Sequence, residues 1–210
     1  MSRAMFRALI SAAGFSLHAG SGTVRLHVDW HEMPDPALQH RLARRDDIPA
    51  MTALMDAAIA ELQKPFLDDA QIESSRTIMG IDTQLIDDRT YFVVEQNGML
   101  AGCGGWSRRA TMYGGDTSPG RDAALLDPAR DAARVRAMYT HPAFVRRGVG
   151  RLILWLCESA ARAEGFARVE LAATMSGEPL YLACGYRVVE RFVDDRGGAP
   201  VPLARMSKGL

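Results

Sequence analysis

The sequence predicts a mixed α/β sheet flanked by helices, folded as a single domain. Short apolar runs alternate with longer segments whose apolar residues recur at three- and four-residue spacing, the period of an amphipathic helix. Asn97-Gly98 separates two of the short runs, and this dipeptide is the strongest short hairpin signal. A hairpin followed by strand–helix–strand units predicts a sheet that is partly antiparallel and partly parallel.

The composition argues against several classes of partner. Lys and Arg number 25 and Asp and Glu number 25, so a neutral chain has no general surface for nucleic acid or an anionic membrane. No apolar run approaches the roughly 18–20 residues that span a membrane. The three cysteines show neither metal-ligand spacing nor a disulfide framework, which indicates a reducing compartment. We therefore expect a cytoplasmic protein with no metal, and the sequence leaves a homodimer open.

Residues 1–37 differ in composition from the rest of the chain. They carry arginines and serines but no acidic residue before Asp29, as in an organelle transit peptide. The alternative that we favour is untranslated upstream sequence, with Met33 as the natural first residue. On either interpretation we expect residues 1–37 to be an N-terminal extension outside the core, and residues 38–210 to form the domain.

The first half of the domain begins with a short strand and a helix. A strand is predicted at His40–Arg44, and Asp46, Asp47 and Pro49 are typical of a helix start. Apolar residues then follow at helical spacing as far as Leu62, and a second helix is predicted between Pro65 and Gly80. The hairpin at Asn97-Gly98 follows this second helix. The polar stretch 107–133 is predicted to be a long loop, and loops of this length are usually functional or mobile.

The second half alternates strands and helices. The predicted order is a strand at 134–140, a helix from about 149 to 164, a strand at 166–174, a short helix at 177–185, a strand at 186–193 and one more near 202–206.

The stretch "VRRGVGRLILW", Val145–Trp155, combines arginines and two glycines with the start of a helix. The first N–H groups of a helix have no internal partners and lie at the positive end of its dipole, so this stretch predicts an anion site. A P-loop is excluded because no lysine lies nearby. A dinucleotide fingerprint stays open as the weaker alternative: Ile153 stands where its third glycine belongs, although Glu170 lies at a suitable distance for a ribose.

Two segments resemble the GNAT N-acetyltransferase family. "MYTHPAFVRRGVGRLIL" is similar to its pyrophosphate-binding segment, where Gly148 and Gly150 match a Gln/Arg-x-x-Gly-x-Gly/Ala loop and Val145 departs from it. "TMSGEPLYLACGY" is similar to a downstream segment of the family. There Tyr181, Gly185 and Tyr186 match, whereas Thr174 replaces an Asn and Gly177 replaces an Ala.

The resemblance implies a splayed sheet and transfer of an acetyl group from acetyl-CoA to a primary amine. It implies that a strand edge pairs with the pantetheine arm and supplies an N–H to the thioester carbonyl, and that the glycine loop holds the pyrophosphate. The implied cofactor-binding residues are Met138, Tyr139, Thr140, Arg146, Arg147, Gly148, Val149, Gly150 and Arg151. Tyr181 is the implied general acid for the leaving thiolate, and its alternative role is that of a core aromatic. The alternative function is a dinucleotide- or CoA-binding module without acyltransferase activity.

The sequence identifies no single residue as the base that deprotonates the amine, and none as a nucleophile. Glu95 and Glu170 are candidate bases, an ion-pairing role is favoured for each, and a water chain without a base is an equal alternative. We expect His141, before a proline, to be structural. No cysteine qualifies as a nucleophile: Cys157 lies on the apolar face of its helix, and Cys184 has no histidine or lysine nearby.

The acceptor is predicted to be a small-molecule amine or a peptide. The resemblance places its site in residues 62–90 and 106–134. Four residues there are candidates for contacting it or for lying in a solvated loop: Trp106, Arg108, Arg109 and Tyr113.

Overall fold

The computed structural model describes residues 37–210. The expectations for residues 1–36, including the Met33 start, lie outside the described residues. Within that range the chain forms seven strands and five helices: β1 (Leu38–Leu42), α1 (Ile48–Leu62), α2 (Asp69–Ile78), α3 (Thr83–Asp87), β2 (Tyr91–Gln96), β3 (Met99–Ser107), β4 (Ala133–Thr140), α4 (Val149–Ala163), β5 (Arg168–Thr174), α5 (Glu178–Ala183), β6 (Arg187–Asp194) and β7 (Val201–Gly209). The predicted order is confirmed, and α3 is an addition to it.

All seven strands form one mixed sheet in the order β1-β2-β3-β4-β5-β7-β6. Only the β4–β5 pair is parallel, and the others are antiparallel. Asn97 and Gly98 join β2 to β3 with φ of 53° and 76°. Positive φ at both central residues is what a two-residue hairpin turn requires, because its twist then matches that of the strands. The predicted hairpin and mixed sheet are confirmed.

The sheet opens between β4 and β5. These strands pair only at Ala133↔Val169 and Arg134↔Glu170. Beyond that point β4 runs on to Thr140 beside β3 alone, while β5 stays paired with β7 along its whole length. The splayed sheet implied by the family resemblance is therefore present, and β4 has an unpaired edge on the side of β5.

Helix α4 covers one face of the sheet because β3 is rich in glycine. A Cβ on Gly102 would lie 2.5 Å from Val149 Cγ1, and one on Gly104 would collide with Met138 and Ile153. The bare backbone of β3 thus lets the first turns of α4 pack directly on the strand. The apolar face predicted for α4 is buried from Val149 to Cys157.

The opposite face of β2 and β3 is covered by α1 and α3. Met51 of α1, Leu85 of α3 and Tyr91 of β2 have no exposed surface. Among residues 37–210, none of the helices combines the length and the apolar character that a membrane crossing needs.

The long connection predicted at 107–133 joins β3 to β4 and is fastened to the domain. Arg109 and Leu125 form a single β-bridge within it. The Thr111 hydroxyl donates to the Asp122 carbonyl oxygen at 2.7 Å, and Arg109 binds Asp88 through two hydrogen bonds of 2.7 and 2.9 Å. The 107–133 segment is thus attached to the rest of the domain by hydrogen bonds and ion pairs, because it contains no regular helix or strand of its own.

Candidate active site

A β-bulge reshapes β4 where it leaves β5. Gly105 pairs with Arg136 and Cys103 pairs with Tyr139, so two residues of β4 face Gly104 alone. One of the two, Ala137, has φ of 51°, in the left-handed region. A bulge bends its strand and re-aims the residues that follow. The segment Met138–Thr140 thereby carries the unpaired edge, which can accept an extended ligand as an added strand.

The glycine loop follows directly. His141 Nδ1 accepts a hydrogen bond of 3.1 Å from the N–H of Ala143 and so caps a short 3₁₀ turn at Pro142–Phe144. The structural role expected for His141 is confirmed. Gly148, with φ of 83°, ends the loop at the first turn of α4. The amides of that first turn have no partner within the helix, as the anion-site prediction requires.

Positive charge surrounds this helix start. Arg146 and Arg147 are exposed, and Arg146 has φ of 62° although it is not a glycine. The Arg147 guanidinium lies 5.4 Å above the ring of Phe144. Arg151 is partly exposed in the first turn of α4. Cationic side chains next to helix amides form an environment suited to a phosphate group.

Gly150 is the point where three elements converge. A Cβ on Gly150 would lie 2.8 Å from Leu180 Cδ2 of α5 and 3.7 Å from Thr140 Oγ1 of β4. The second glycine of the loop is therefore explained by close packing. It lets α5 approach the end of β4 across the open seam of the sheet.

Tyr181 lies on α5, and only 7% of its surface is exposed. Its ring packs edge-on against Tyr186, with centroids 5.7 Å apart. Burial raises the pKa of Tyr181 well above its ordinary value, and the neighbouring Cys157 and Cys184 add to the shift. The hydroxyl is thus held in its protonated form at neutral pH.

Helix α5, which carries Tyr181, lies next to the end of the predicted thioester-binding strand, since Leu180 of α5 and Thr140 of β4 are both neighbours of Gly150. Burial raises the pKa of Tyr139 on β4, and Cys103 and the Tyr181 hydroxyl contribute further to that rise. Tyr181 is both a core aromatic and a neighbour of the β4 end, so the two roles weighed for it are compatible.

The departures at Thr174 and Gly177 have a local explanation. Thr174 Oγ1 accepts a hydrogen bond of 3.2 Å from the Gly177 N–H and closes the turn between β5 and α5. A Cβ on Gly177 would lie 3.2 Å from the Tyr181 ring. Thr174 therefore positions the start of α5, and Gly177 makes room for Tyr181.

Both carboxylates considered as bases are held in ion pairs. Glu95 accepts from Arg41 Nη2 at 2.7 Å, and Glu170 accepts from Arg134 Nη1 at 2.6 Å. The ion-pairing role favoured for each is confirmed. In the described part of the chain, no group of His, Cys, Asp and Glu side chains could hold a metal ion.

Two of the three cysteines are poor nucleophiles. Cys103 and Cys157 are fully buried, and burial raises the pKa of both thiols, that of Cys103 to about 12. A thiol with so high a pKa is not ionised at neutral pH. The position on a buried helix face expected for Cys157 is confirmed, and Cys103 is buried as well. Cys184 is partly exposed.

The four candidates for the acceptor site have different positions. The expectation for Trp106 is wrong: it is 2% exposed and packs edge-on against Phe166 in the core, because β3 runs beneath α4. Arg108 binds Glu164 at 2.6 Å, and Arg109 is engaged by Asp88. Tyr113 is partly exposed, with its ring 5.8 Å from that of Phe192. Tyr113 is the one aromatic of the four that reaches the surface.

A buried ionic cluster escaped the sequence analysis. Asp82 is fully buried, forms an ion pair with Arg136 and accepts a 2.8 Å hydrogen bond from Arg121. The same two arginines donate to the carbonyl oxygens of Gly114 and Gly115. Arg136 directly precedes the bulge, so the cluster ties the 107–133 segment to the strand that carries the site. Asp82 also caps the N-terminus of α3. An aspartate directly before a helix is a sequence signal that could have identified Asp82 as a capping residue, although not as a member of the ionic cluster.

An open seam in a mixed sheet, with a glycine-rich helix start beside it, is the geometry that the resemblance to α/β acyltransferases implies. A sequence model of the Acetyltransferase (GNAT) family matches residues 51–186, more than half of the chain. The chain belongs to the GNAT family, and the protein is an acetyl-CoA-dependent N-acetyltransferase. This assignment decides against the dinucleotide-binding alternative.

Solved structures of the same fold support the assignment. A GCN5-related N-acetyltransferase from Rhodopseudomonas palustris is 19% identical with a TM-score of 0.63, over 85% of this chain and 99% of that one. The paia N-acetyltransferase from Thermoplasma acidophilum, in complex with coenzyme A, is 12% identical with a TM-score of 0.56, over 82% and 99%. The protein yncA from Salmonella typhimurium, with its cofactor acetyl-CoA, is 20% identical with a TM-score of 0.54, over 83% and 94%. No curated protein matches the sequence.

Proposed function

We propose that this enzyme transfers the acetyl group directly to a primary amine, with Tyr181 as the general acid. The observation that carries the proposal is the position of α5: its Leu180 and Thr140 of β4 both lie beside Gly150, so the helix that bears the buried Tyr181 side chain borders the open seam at the end of β4. Acetyl-CoA supplies an activated thioester carbonyl.

Two segments bind the donor in this proposal. The unpaired edge at Met138–Thr140 pairs with the amide groups of the pantetheine arm, and a backbone N–H near Met138 and Tyr139 stabilises the negative charge that develops on the thioester oxygen. The loop from Arg146 to Arg151, which includes Val149, holds the pyrophosphate through helix amides and arginine charge. The bulge at Ala137 and the left-handed Gly148 support this arrangement, because both shape the backbone next to the open seam.

Protonation of the leaving thiolate is the role of Tyr181. The tyrosine hydroxyl carries its proton at neutral pH and donates it to the sulfur as the C–S bond breaks. Glu95 and Glu170 are engaged by arginines, which favours removal of the amine proton by water.

We also propose a class of acceptor and a cellular location for the enzyme. GNAT acetyltransferases act on small-molecule or peptide amines, and either class stays open at this level. The three free cysteines at 103, 157 and 184 support a reducing compartment, which we take to be the cytoplasm. The homodimer stays a prediction.

The test of the acid is Tyr181→Phe, with Tyr186→Phe as the matched control on the neighbouring ring. With chemistry rate-limiting, Tyr181→Phe is expected to lower kcat by about 10²–10⁴-fold, the usual effect of losing a positioned acid. Calorimetry should show unchanged acetyl-CoA binding. Tyr186→Phe should leave kcat within a few-fold of the parent. An unaltered kcat in Tyr181→Phe would return this side chain to a purely structural role.

Direct transfer is tested by the mass of the intact protein after mixing with acetyl-CoA in the absence of an acceptor. We expect no added acetyl group on any cysteine. A stoichiometric acetyl-enzyme that is discharged by amines would contradict direct transfer and point to a covalent route.

A further inference from the structure

An apolar cluster lies on the face of the open seam that α1 and α2 cover. Its buried members are Ile59, Leu67, Ile72, Ile78, Val201 and Leu203. Four partly exposed side chains pack against it: Met79, Tyr113, Tyr139 and Phe192. Tyr139 comes from β4 and Phe192 from β6, so the cluster bridges the two sides of the seam next to the proposed reaction centre.

Three of the four partly exposed side chains of the cluster are aromatic: Tyr113, Tyr139 and Phe192. The rings of Tyr113 and Phe192 lie 5.8 Å apart, and the Arg196 guanidinium lies 5.0 Å above the Tyr113 ring. An open hollow of about 300 Å³ adjoins the cluster and shares Phe192 and Leu203 with it, while Tyr113 and Tyr139 lie outside its lining. The hollow is lined by Met175, Arg191, Phe192, Val193, Pro202 and Leu203.

Three carboxylates of the surrounding segments are bound by arginine. Asp194 is almost fully buried and binds Arg196, which holds its pKa below the ordinary value. Glu178 accepts from Arg191 at 2.7 and 2.9 Å. Asp82 belongs to the buried cluster with two arginines. These three carboxylates are therefore neutralised, and a polycationic acceptor gains little from them.

We propose that the acceptor is a small amine that carries one apolar group of aromatic size, with that group against Tyr113 and Phe192 and its nitrogen toward the end of β4 near Tyr139. The inference rests on the proposed function, since it assigns the acceptor of the same site. An aromatic surface provides apolar contact, and arginine-bound carboxylates provide no second cationic subsite.

An apolar surface also favours the reactive form of the amine. Burial disfavours the charged form, so an amine held against these rings loses its proton to water more readily. The neutral nitrogen forms the C–N bond as the thioester C–S bond breaks. The excess proton on nitrogen passes to water, and the sulfur takes the proton of Tyr181, which water restores. This route needs no dedicated base, in agreement with the engaged state of Glu95 and Glu170.

Three probes separate the acceptor classes: 2-phenylethylamine, propylamine and 1,4-diaminobutane, assayed by release of the CoA thiol. A single methylene in an apolar site changes kcat/KM by about 10–200-fold, so we expect 2-phenylethylamine to exceed propylamine by about 10²-fold or more. The diamine should be no better than propylamine. A preference for the diamine, or equal values for all three, would overturn the inference.

Two variants test the surface itself. Phe192→Leu should lower kcat/KM for 2-phenylethylamine by about tenfold and leave propylamine within twofold, since only the larger amine reaches the ring. Val189→Ala, at an exposed residue of the same strand, is the control and should change neither value. An equal loss for both amines in Phe192→Leu would show a structural role and contradict the proposal.

Acetyl-CoA calorimetry separates the two levels of inference. No acetyl-CoA binding and no turnover would refute the proposed function together with this one. Acetyl-CoA binding with turnover of the diamine alone, or with no turnover of 2-phenylethylamine, would refute only the acceptor class.

Discussion

The two halves of the sheet differ in how they are joined, and the site lies where they meet. Strands β1–β4 pair with their neighbours along their length, and so do β5, β7 and β6. Between the halves there are two residue pairs, Ala133↔Val169 and Arg134↔Glu170. The backbone groups left unpaired beyond Arg134 form the proposed donor site. The strand edge proposed to bind acetyl-CoA therefore begins at the residue where β4 stops pairing with β5.

The halves also differ in what holds them. The first half has covered faces and fully buried side chains such as Tyr91 and Leu85, and the Asp82 cluster reinforces it next to the bulge. The second half ends in the edge strand β6, where Val189 and Val193 are 52% and 60% exposed. The first half therefore carries the unpaired edge of the proposed donor site, and the second half supplies α5 and Tyr181.

The largest expected effect on stability comes from the buried cluster in the first half. Asp82→Asn leaves Arg136 buried without its counter-charge, so we expect a loss of about 3–5 kcal/mol in the free energy of unfolding. Urea unfolding measures it. Asp116→Asn is the control, since Asp116 is 3.9 Å from Arg121 and more exposed, and it should cost less than about 1 kcal/mol. Equal stabilities of the two variants would mean that the cluster does not support the first half.

The seam itself is tested by Glu170→Gln. Glu170 and Arg134 are register partners and largely buried, so replacing the carboxylate should cost about 1.5–3 kcal/mol, the range for hydrogen bonds to charged groups. The pH profile of kcat should keep its shape, because Glu170 is not the base. Glu190→Gln, which removes an exposed partner of Arg205, is the matched control. Loss of the acidic limb of the kcat profile in Glu170→Gln, with intact stability, would make Glu170 the base.

A smaller effect is expected at the helix start beside the seam. Gly148→Ala places a side chain at φ of 83°, which costs about 1–2 kcal/mol. Gly98→Ala is a matched control with φ of 76° and open space around it. Both variants should lose similar stability, while only Gly148→Ala should raise the Kd for acetyl-CoA, by about tenfold, equivalent to about 1.4 kcal/mol. Equal Kd values would separate Gly148 from the donor site.

The smallest effect concerns the 107–133 segment of the first half. Arg109 lowers the pKa of Asp88 through hydrogen bonds and charge, from an ordinary value of 3.8. A lowered pKa stabilises the folded state above the ordinary value, and this contribution disappears as the pH falls through the lowered one. Asp88→Asn should therefore be less stable by about 1 kcal/mol at neutral pH. The difference should vanish in acid. If the stability difference between Asp88→Asn and the parent persists at pH values below the lowered pKa, the difference arises from packing and not from the charge of Asp88.

Much of the fold could be predicted because its signals are local. Asn97-Gly98 needs positive φ, which only a few residue types adopt readily, so the hairpin is visible in two letters of sequence. The face of α4 from Val149 to Cys157 follows from a helical period, and the role of His141 follows from its position before a proline. Each of these features depends on neighbours within one turn or one strand.

The site was predictable only in part, because its geometry depends on contacts between distant segments. Tryptophan often contacts ligands, and for that reason Trp106 was a candidate for the acceptor site. In the structure Trp106 lies in the core, because its strand β3 packs beneath α4. Asp82 and Arg136 are 54 positions apart in the sequence, and only the folded chain makes them an ion pair. Glu170 and Arg134 are likewise partners through the register of the two strands.

The sequence by itself determined the order of all elements but α3, the glycine-rich start of α4 and the family, since these depend on residue type and short spacing. The tertiary structure decided where the sheet opens, which glycines serve packing and which serve backbone conformation, and that α5 lies beside the end of β4. Gly150 shows the physical reason: its lack of a Cβ has meaning only because Leu180, 30 residues later, packs against it.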